Sequence, residues 1–295
     1  MKENNRKSVL GYFLLIPSVL AFAIFLFYPM FKTVYLSFFD WNMIKPTKQF
    51  VGLHNYIELL TNPNTWKIVK NTGLYIGILL VMNLVMPYIL SFILSAVIKK
   101  GKNFYKAVFF LPSVISLVVG SILYTWILNP VSGPIAIIGR KIGLEMPIWS
   151  QREGLVIAVL CIITSWKAFG YNFIVILAGV SGVSQEIIEA ARVDGVSLVK
   201  IFKDMIIPVS SATGIYVLIY TIVQGLQFVY TPIKVITQGG PNYASSNLIY
   251  LSYHEAFTLY KTGVSSAASV MTVLLFMVLL ILEFRFVEKG VYYEN

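Results

Sequence analysis

Ile188-Glu189-Ala190-Ala191-Arg192-Val193-Asp194-Gly195, running on to Ile207-Pro208, is a polar, charge-rich stretch set between two long apolar runs late in the chain. Its spacing predicts two short helices and a turn. Ser184 is placed to cap the first helix, with Gln185 and Glu186 in its first turn. Asp194-Gly195 is a turn signal, because glycine takes positive φ without steric cost. Ser197 is placed to cap a second helix whose Leu198, Ile201, Phe202 and Met205 fall at i, i+3, i+4 and i+7. Pro208 lacks an N–H and is expected to end that helix. A helix–turn–helix of this kind presents an apolar stripe that needs a surface to dock on, so the flanking runs decide what it is.

Those runs dominate the composition. The 295 residues are 57% hydrophobic and 12% charged, with a mean hydropathy of +0.77. A soluble domain carries roughly 45–50% apolar and about 25% charged residues. The excess points to an all-α integral membrane protein. The net charge of +10 does not indicate nucleic acid, because the lysines and arginines lie in connecting segments without interleaved aromatics. Basic membrane edges explain it. Cys161 is the only cysteine and sits in an apolar run, which excludes a disulfide framework.

Six transmembrane helices are expected, at about 9–31, 73–98, 107–128, 154–180, 210–233 and 262–282, within one transmembrane domain covering 1–295. Each is long enough for the hydrocarbon core, which takes about 20 helical residues. The first follows Lys2, Arg6 and Lys7, and is too long for a signal peptide. Lys167 interrupts the fourth, and no Asp or Glu falls within these bounds. Lysine and arginine totals on the two sides barely differ. Density decides, since Lys99, Lys100, Lys102 and Lys106 crowd into residues 99–106. Both termini and the 181–209 segment are thereby expected in the cytoplasm. The outer connections, 32–72, 129–153 and 234–261, are polar and turn-rich, with a short helix near 53–60 and a tight turn at Gln238-Gly239-Gly240-Pro241-Asn242. Trp41, Trp126 and Trp149 lie near span ends, as belt residues do.

Several chemistries are missing. There is no phosphate-binding loop of the G-x-x-x-x-G-K-[ST] form; Gly101-Lys102-Asn103 lacks both the glycine spacing and the hydroxyl. His54 and His254 stand far apart, and no cluster has metal-ligand spacing. No catalytic residue, metal or cofactor is expected on this chain. A gradient-driven secondary transporter or channel subunit is the alternative reading. It is disfavoured because such proteins usually carry intramembrane carboxylates or repeats.

Glu189-Ala190-Ala191, three residues, Gly195, and then Met205-Ile206-Ile207-Pro208 closely resemble the "EAA" signature of binding-protein-dependent ABC importer permeases. Met205 stands where that pattern usually has isoleucine, and Ile207 where it has leucine; both are apolar. Leu15-Ile16-Pro17-Ser18, Phe110-Leu111-Pro112 and Gly239-Gly240-Pro241 extend the likeness over nearly the whole chain, toward the first permease subunit of the carbohydrate-uptake subfamily, of glycerol-phosphate and maltose type. The resemblance implies a type I importer permease in a bacterial or archaeal inner (plasma) membrane. It implies that Glu189, Ala190, Ala191, Gly195 and Pro208 belong to coupling helices docked on cytoplasmic ATPase subunits. The implied partners are a second permease in a heterodimer, two ATPase subunits holding ATP and Mg, and an extracytoplasmic solute-binding protein. The implied cargo is a sugar or sugar-like solute.

The resemblance also places the pathway between two permeases, lined by the last three spans. Trp166, Lys167, Tyr171 and Asn172 in the fourth, with Gln224, Gln227 and Phe228 in the fifth, are the candidates, since amides bind hydroxyls and aromatic faces stack on sugars. For the amides, helix–helix bonding is an equal alternative. For Lys167, an anionic substrate and a carboxylate on the partner permease both stand open, the second being preferred.

Overall fold

The computed structural model describes residues 14–98 and 100–286. The described residues are almost entirely helical, with a single two-stranded ladder. The chain forms two compact units: residues up to Asn62 with Leu251–Val273, and Pro63–Tyr250 with the chain from Leu274 onward.

Among the described residues, five unbroken helices are long and apolar enough to cross a membrane: Leu14–Leu36, Pro63–Val97, Leu155–Val180, Ser211–Thr237 and Thr262–Arg285. The third expected span is not one rod. It divides into Lys102–Val114 and Leu117–Ile127, bent by 99°, so six spans result when the pair counts as one. Pro112 withdraws a donor from the ladder, and the helix ends at Ile115 and Ser116, which turn extended. The second span begins ten residues earlier than its apolar run, because Pro63 opens the helix at its first turn. The last helix runs to Phe286 and so takes in Glu283, which is buried. This corrects the expectation that no carboxylate lies within a span. The expected start of the first span, 9–13, lies outside the described residues.

In the first unit, the hairpin pairs Phe39 with Phe50 and Asp40 with Gln49. Helix His54–Thr61 follows, close to the expected 53–60. Buried Asn55 joins them, its Nδ2 donating to the carbonyls of Ser37 (2.8 Å) and Phe39 (3.0 Å). Lys261 pairs with Glu58 at 2.9 Å.

In the second unit, Leu155–Val180 is the central helix, packed against the second, third and fifth spans. Close approach depends on small residues, as is usual where lipid removes the hydrophobic drive between helices. A Cβ at Gly170 would collide with the carbonyl oxygen of Phe109 and lie 2.8 Å from Phe110 Cα. At the other end, the turn after the fifth span is tied to the second span. Asn71 Nδ2 donates to Tyr243 and Ser246 carbonyls, and Tyr75 OH donates to that of Ser245 at 2.8 Å. Trp149 is buried, with Nε1 donating to Leu128 O at 2.8 Å, so it is an interior residue and not a belt residue.

Candidate functional site: the helix–turn–helix and the fourth–fifth span face

The stretch around Glu189 folds as its sequence spacing predicts. Helix Gln185–Val193 is capped by Ser184, whose side chain accepts from Ile187 N at 3.3 Å. At its far end Gly195 N–H bonds Arg192 O and Val196 N–H bonds Ala191 O at 2.9 Å. These are the paired bonds of a Schellman stop, and Gly195 has the positive φ (+75°) that the motif requires. Ser197 then caps Leu198–Ile201 through Lys200 N.

Pro208 does not end the second helix. The helix continues through a π-turn at Phe202–Ile206 into Ile207–Val209 and breaks at Ser210. The wider turn places Pro208 at the first turn of a new α-segment, where its missing N–H costs little.

The segment has two faces. Ile188, Ala191, Ile201 and Ile206 are buried with Phe92, Ile176, Val180 and Val217 of the spans. Two side chains fasten the first helix to the end of the second span: Arg192 Nη1 donates to Ala96 O (3.3 Å) and Gln185 Nε2 to Ser95 O (3.2 Å). Ala191 therefore serves internal packing, whereas Ala190 is exposed beside Glu186 and Glu189. The outer face also carries Ile187, Val193 and Val199, with Val193 87% exposed. Among the described residues Glu189 has no ion-pair partner. A valine left in water beside unpaired carboxylates forms a surface suited to a protein partner with an apolar cleft and basic rim.

The pathway candidates separate by environment. Asn172 is 1% exposed, and its Nδ2 donates to Asn83 O (2.7 Å) and Thr221 Oγ1 (3.0 Å), joining the second, fourth and fifth spans. Lys167 has two acceptors in its own chain, the carbonyls of Ser113 (2.8 Å) and Ile115 (2.7 Å), where the third span breaks. Ser113 Oγ returns a bond to Lys167 O at 3.0 Å. Trp166 packs edge-on to Tyr124 and over Gly120.

Tyr171 reaches the fifth span. Its hydroxyl lies 2.8 Å from that of Tyr216, and its ring centroid 4.9 Å from Tyr220. Tyr216, Tyr220, Gln224 and Gln227 follow helical spacing along one side of the fifth span. Gln227 is exposed and Gln224 half-buried, and among the described residues neither amide makes a hydrogen bond. Phe228 is half-buried next to them. Sequence reasoning missed Tyr216. Its signal was the four-residue spacing to Tyr220, which becomes informative only once Tyr171 is known to face it. No group of three or more metal-ligating side chains occurs among the described residues.

The chain is 29% identical over 293 residues to the probable ABC transporter permease protein YurN of Bacillus subtilis, covering 97% of this chain and 98% of that one. It is 29% identical over 287 residues to the sn-glycerol-3-phosphate transport system permease protein UgpA of Brucella abortus, covering 97% of each. Its fold matches a chain of a bacterial ABC transporter involved in import of the acidic polysaccharide alginate, with a TM-score of 0.81, 20% identity and 97% and 98% coverage. It also matches a chain of the alginate transporter in complex with its alginate pentasaccharide-bound periplasmic protein, with a TM-score of 0.80. The sequence model described as "Binding-protein-dependent transport system inner membrane component" matches residues 93–291, and the chain belongs to that family, as a multi-pass inner-membrane transport component and not an enzyme.

Proposed function

We propose that this chain forms half of the pathway of an ATP-driven importer for a sugar or sugar-like solute, and that residues 184–208 couple it to ATPase subunits. The single observation that carries this reading is the outer face of the helix–turn–helix, where Val193 and Ile187 are exposed beside Glu189, which has no ion-pair partner among the described residues. The buried face of the same segment is fixed to the second, fourth and fifth spans, so force applied outside is transmitted to the spans. ATP and Mg are then held by two cytoplasmic partner subunits, and the pathway is completed by a second permease. Both termini lie in the cytoplasm, on the basis of the dense lysines near 99–106.

The substrate class is supported by two observations. The curated relative UgpA is named for sn-glycerol 3-phosphate and the solved relatives for alginate, both polyhydroxylated. The fifth-span stripe of Tyr216, Tyr220, Gln224 and Gln227, with Tyr171 opposite, offers phenols and free amides of the type that bind hydroxyls. Cargo is delivered by an extracytoplasmic binding protein.

The test is substitution of Gly195→Pro and, separately, Glu189→Lys in the assembled importer. Proline cannot take φ +75° and has no N–H for Arg192 O. Both variants are expected to insert, yet to lose ATP hydrolysis stimulated by the loaded binding protein. Normal uptake by both would overturn the coupling assignment.

A further inference from the structure

A second polar feature lies at the base of the coupling segment. A cavity of about 250 Å³ is lined by Ser95, Lys102, Lys106, Ser181, Ser184 and Gln185, with aliphatic walls from Leu94, Leu177 and Val183. Among the described residues no Asp or Glu lines it. Lys102 and Lys106 are one helical turn apart and both half-buried. Lys102 donates to Ser95 O at 3.1 Å and keeps two further N–H donors. Lys106 makes no hydrogen bond or ion pair among the described residues. Ser184 Oγ accepts from Ile187 N, which leaves its O–H to donate. Ser184 also opens a nine-residue helix whose amino end favours an anion.

We propose that this pocket binds the phosphate of an anionic membrane phospholipid. Two partly desolvated cations with no counter-charge among the described residues call for an anion, and clustered hydroxyl and ammonium donors match phosphate oxygens. The lipid source follows from the walls. Leu94 and Leu177 belong to the ends of the second and fourth spans, so the pocket sits where those helices leave the bilayer, with apolar surface for a glycerol backbone beside the donors. Ser95 also accepts from Gln185 at the head of the coupling helix, so the lipid would sit against the joint between that helix and the second span. The inference rests on the cytoplasmic placement of this segment proposed above.

The test uses the complete importer in nanodiscs of phosphatidylcholine with added phosphatidylglycerol, and native mass spectrometry to count retained phosphatidylglycerol. Wild type is expected to retain it. Lys106→Gln is expected to hold it about fivefold more weakly, the size of one lysine's contribution at an anionic surface, while Lys106→Arg retains it. Equal retention by wild type and Lys106→Gln overturns the proposal. Displacement of the lipid by inorganic phosphate at matched concentration overturns the lipid as the source. Sidedness is read separately, by membrane-impermeant maleimide on Lys100→Cys; the native Cys161 is buried and does not interfere. Labelling from outside overturns the cytoplasmic placement whatever the lipid result.

Discussion

The ammonium of Lys167 lies 2.7 Å from the carbonyl oxygen of Ile115, the residue at which the third span breaks. A helix broken inside a bilayer leaves carbonyls without water, and each orphan costs free energy unless a side chain satisfies it. Lys167 does so twice, at Ser113 and Ile115, while Ser113 Oγ binds Lys167 O in return. The charge in the fourth span is thus answered within the chain by the break in the third. Lys167→Met should therefore lower the thermal stability of the purified importer by an amount equivalent to about 1–3 kcal/mol, the cost of buried groups left unpaired. Lys167→Arg should recover part of it. A methionine variant of wild-type stability whose only defect is weaker substrate uptake would show that the lysine faces cargo.

Asn172 and Gln227 are both amides in the last spans, yet the structure gives them opposite environments. Asn172→Ala removes the bonds to Asn83 O and Thr221 Oγ1 and should cost about 1–3 kcal/mol of stability, read as a lower Tm. Gln227→Ala should leave Tm unchanged and alter uptake through KM, since its amide is exposed and unpaired among the described residues. The reverse pattern would exchange their roles.

How much of this was legible in the sequence depended on distance along the chain. The caps at Ser184 and Ser197 and the stop at Gly195 were readable because each depends on residues within five positions. Apolar run length was likewise enough to find the spans. The break at Ile115 was hidden, because residues 107–128 carry no charge and Pro112 alone does not say whether a helix bends or stops. The partners of Lys167 and Asn172 were not readable, since they come from segments 49 to 89 positions away. Pro208 misled for a local reason: the π-turn before it absorbs the ring, and sequence spacing does not announce such a turn.

Two glycines give opposite expectations for one substitution. Gly170→Ala pushes a Cβ into the Phe109 carbonyl and the Phe110 backbone, which cannot yield as a flexible side chain would. A loss of about 1–3 kcal/mol is expected, as for other overpacked cores. Gly73→Ala meets nothing within 4 Å in the second span and should be neutral or more stable by up to about 1 kcal/mol from helix propensity. Tm measured on both variants checks the contrast.

The connection between the fifth and sixth spans holds a pH-dependent group. Burial pushes the Glu255 carboxyl above the ordinary value of 4.5, opposed by nearby Lys261 and reinforced by Glu58. A raised folded value means the folded state binds its proton more tightly. Stability therefore falls as pH rises from about 4.5 through the raised value, and the penalty is complete above it. Glu255→Gln should raise Tm near neutral pH and lose that advantage in mild acid. A Tm difference that does not vary with pH would contradict this. Lys261 shifts the other way in effect: its hydrogen bond to Glu58 raises its value, and that stabilisation is present below 10.5 and is lost only in stronger base.

The central claim is that the outer face of residues 184–208 is the surface on which an ATPase subunit sits. Photo-cross-linking tests it most directly, with a photoreactive residue placed at exposed Val193 or, as the comparison, at Ile188, which is 1% exposed on the buried face of the same helix. In the assembled importer, Val193 should capture the ATPase subunit, and should release it from cross-linking range when Glu189→Lys is introduced, while Ile188 captures only its own chain. Capture of the ATPase from neither position, or equally from both, would contradict the account.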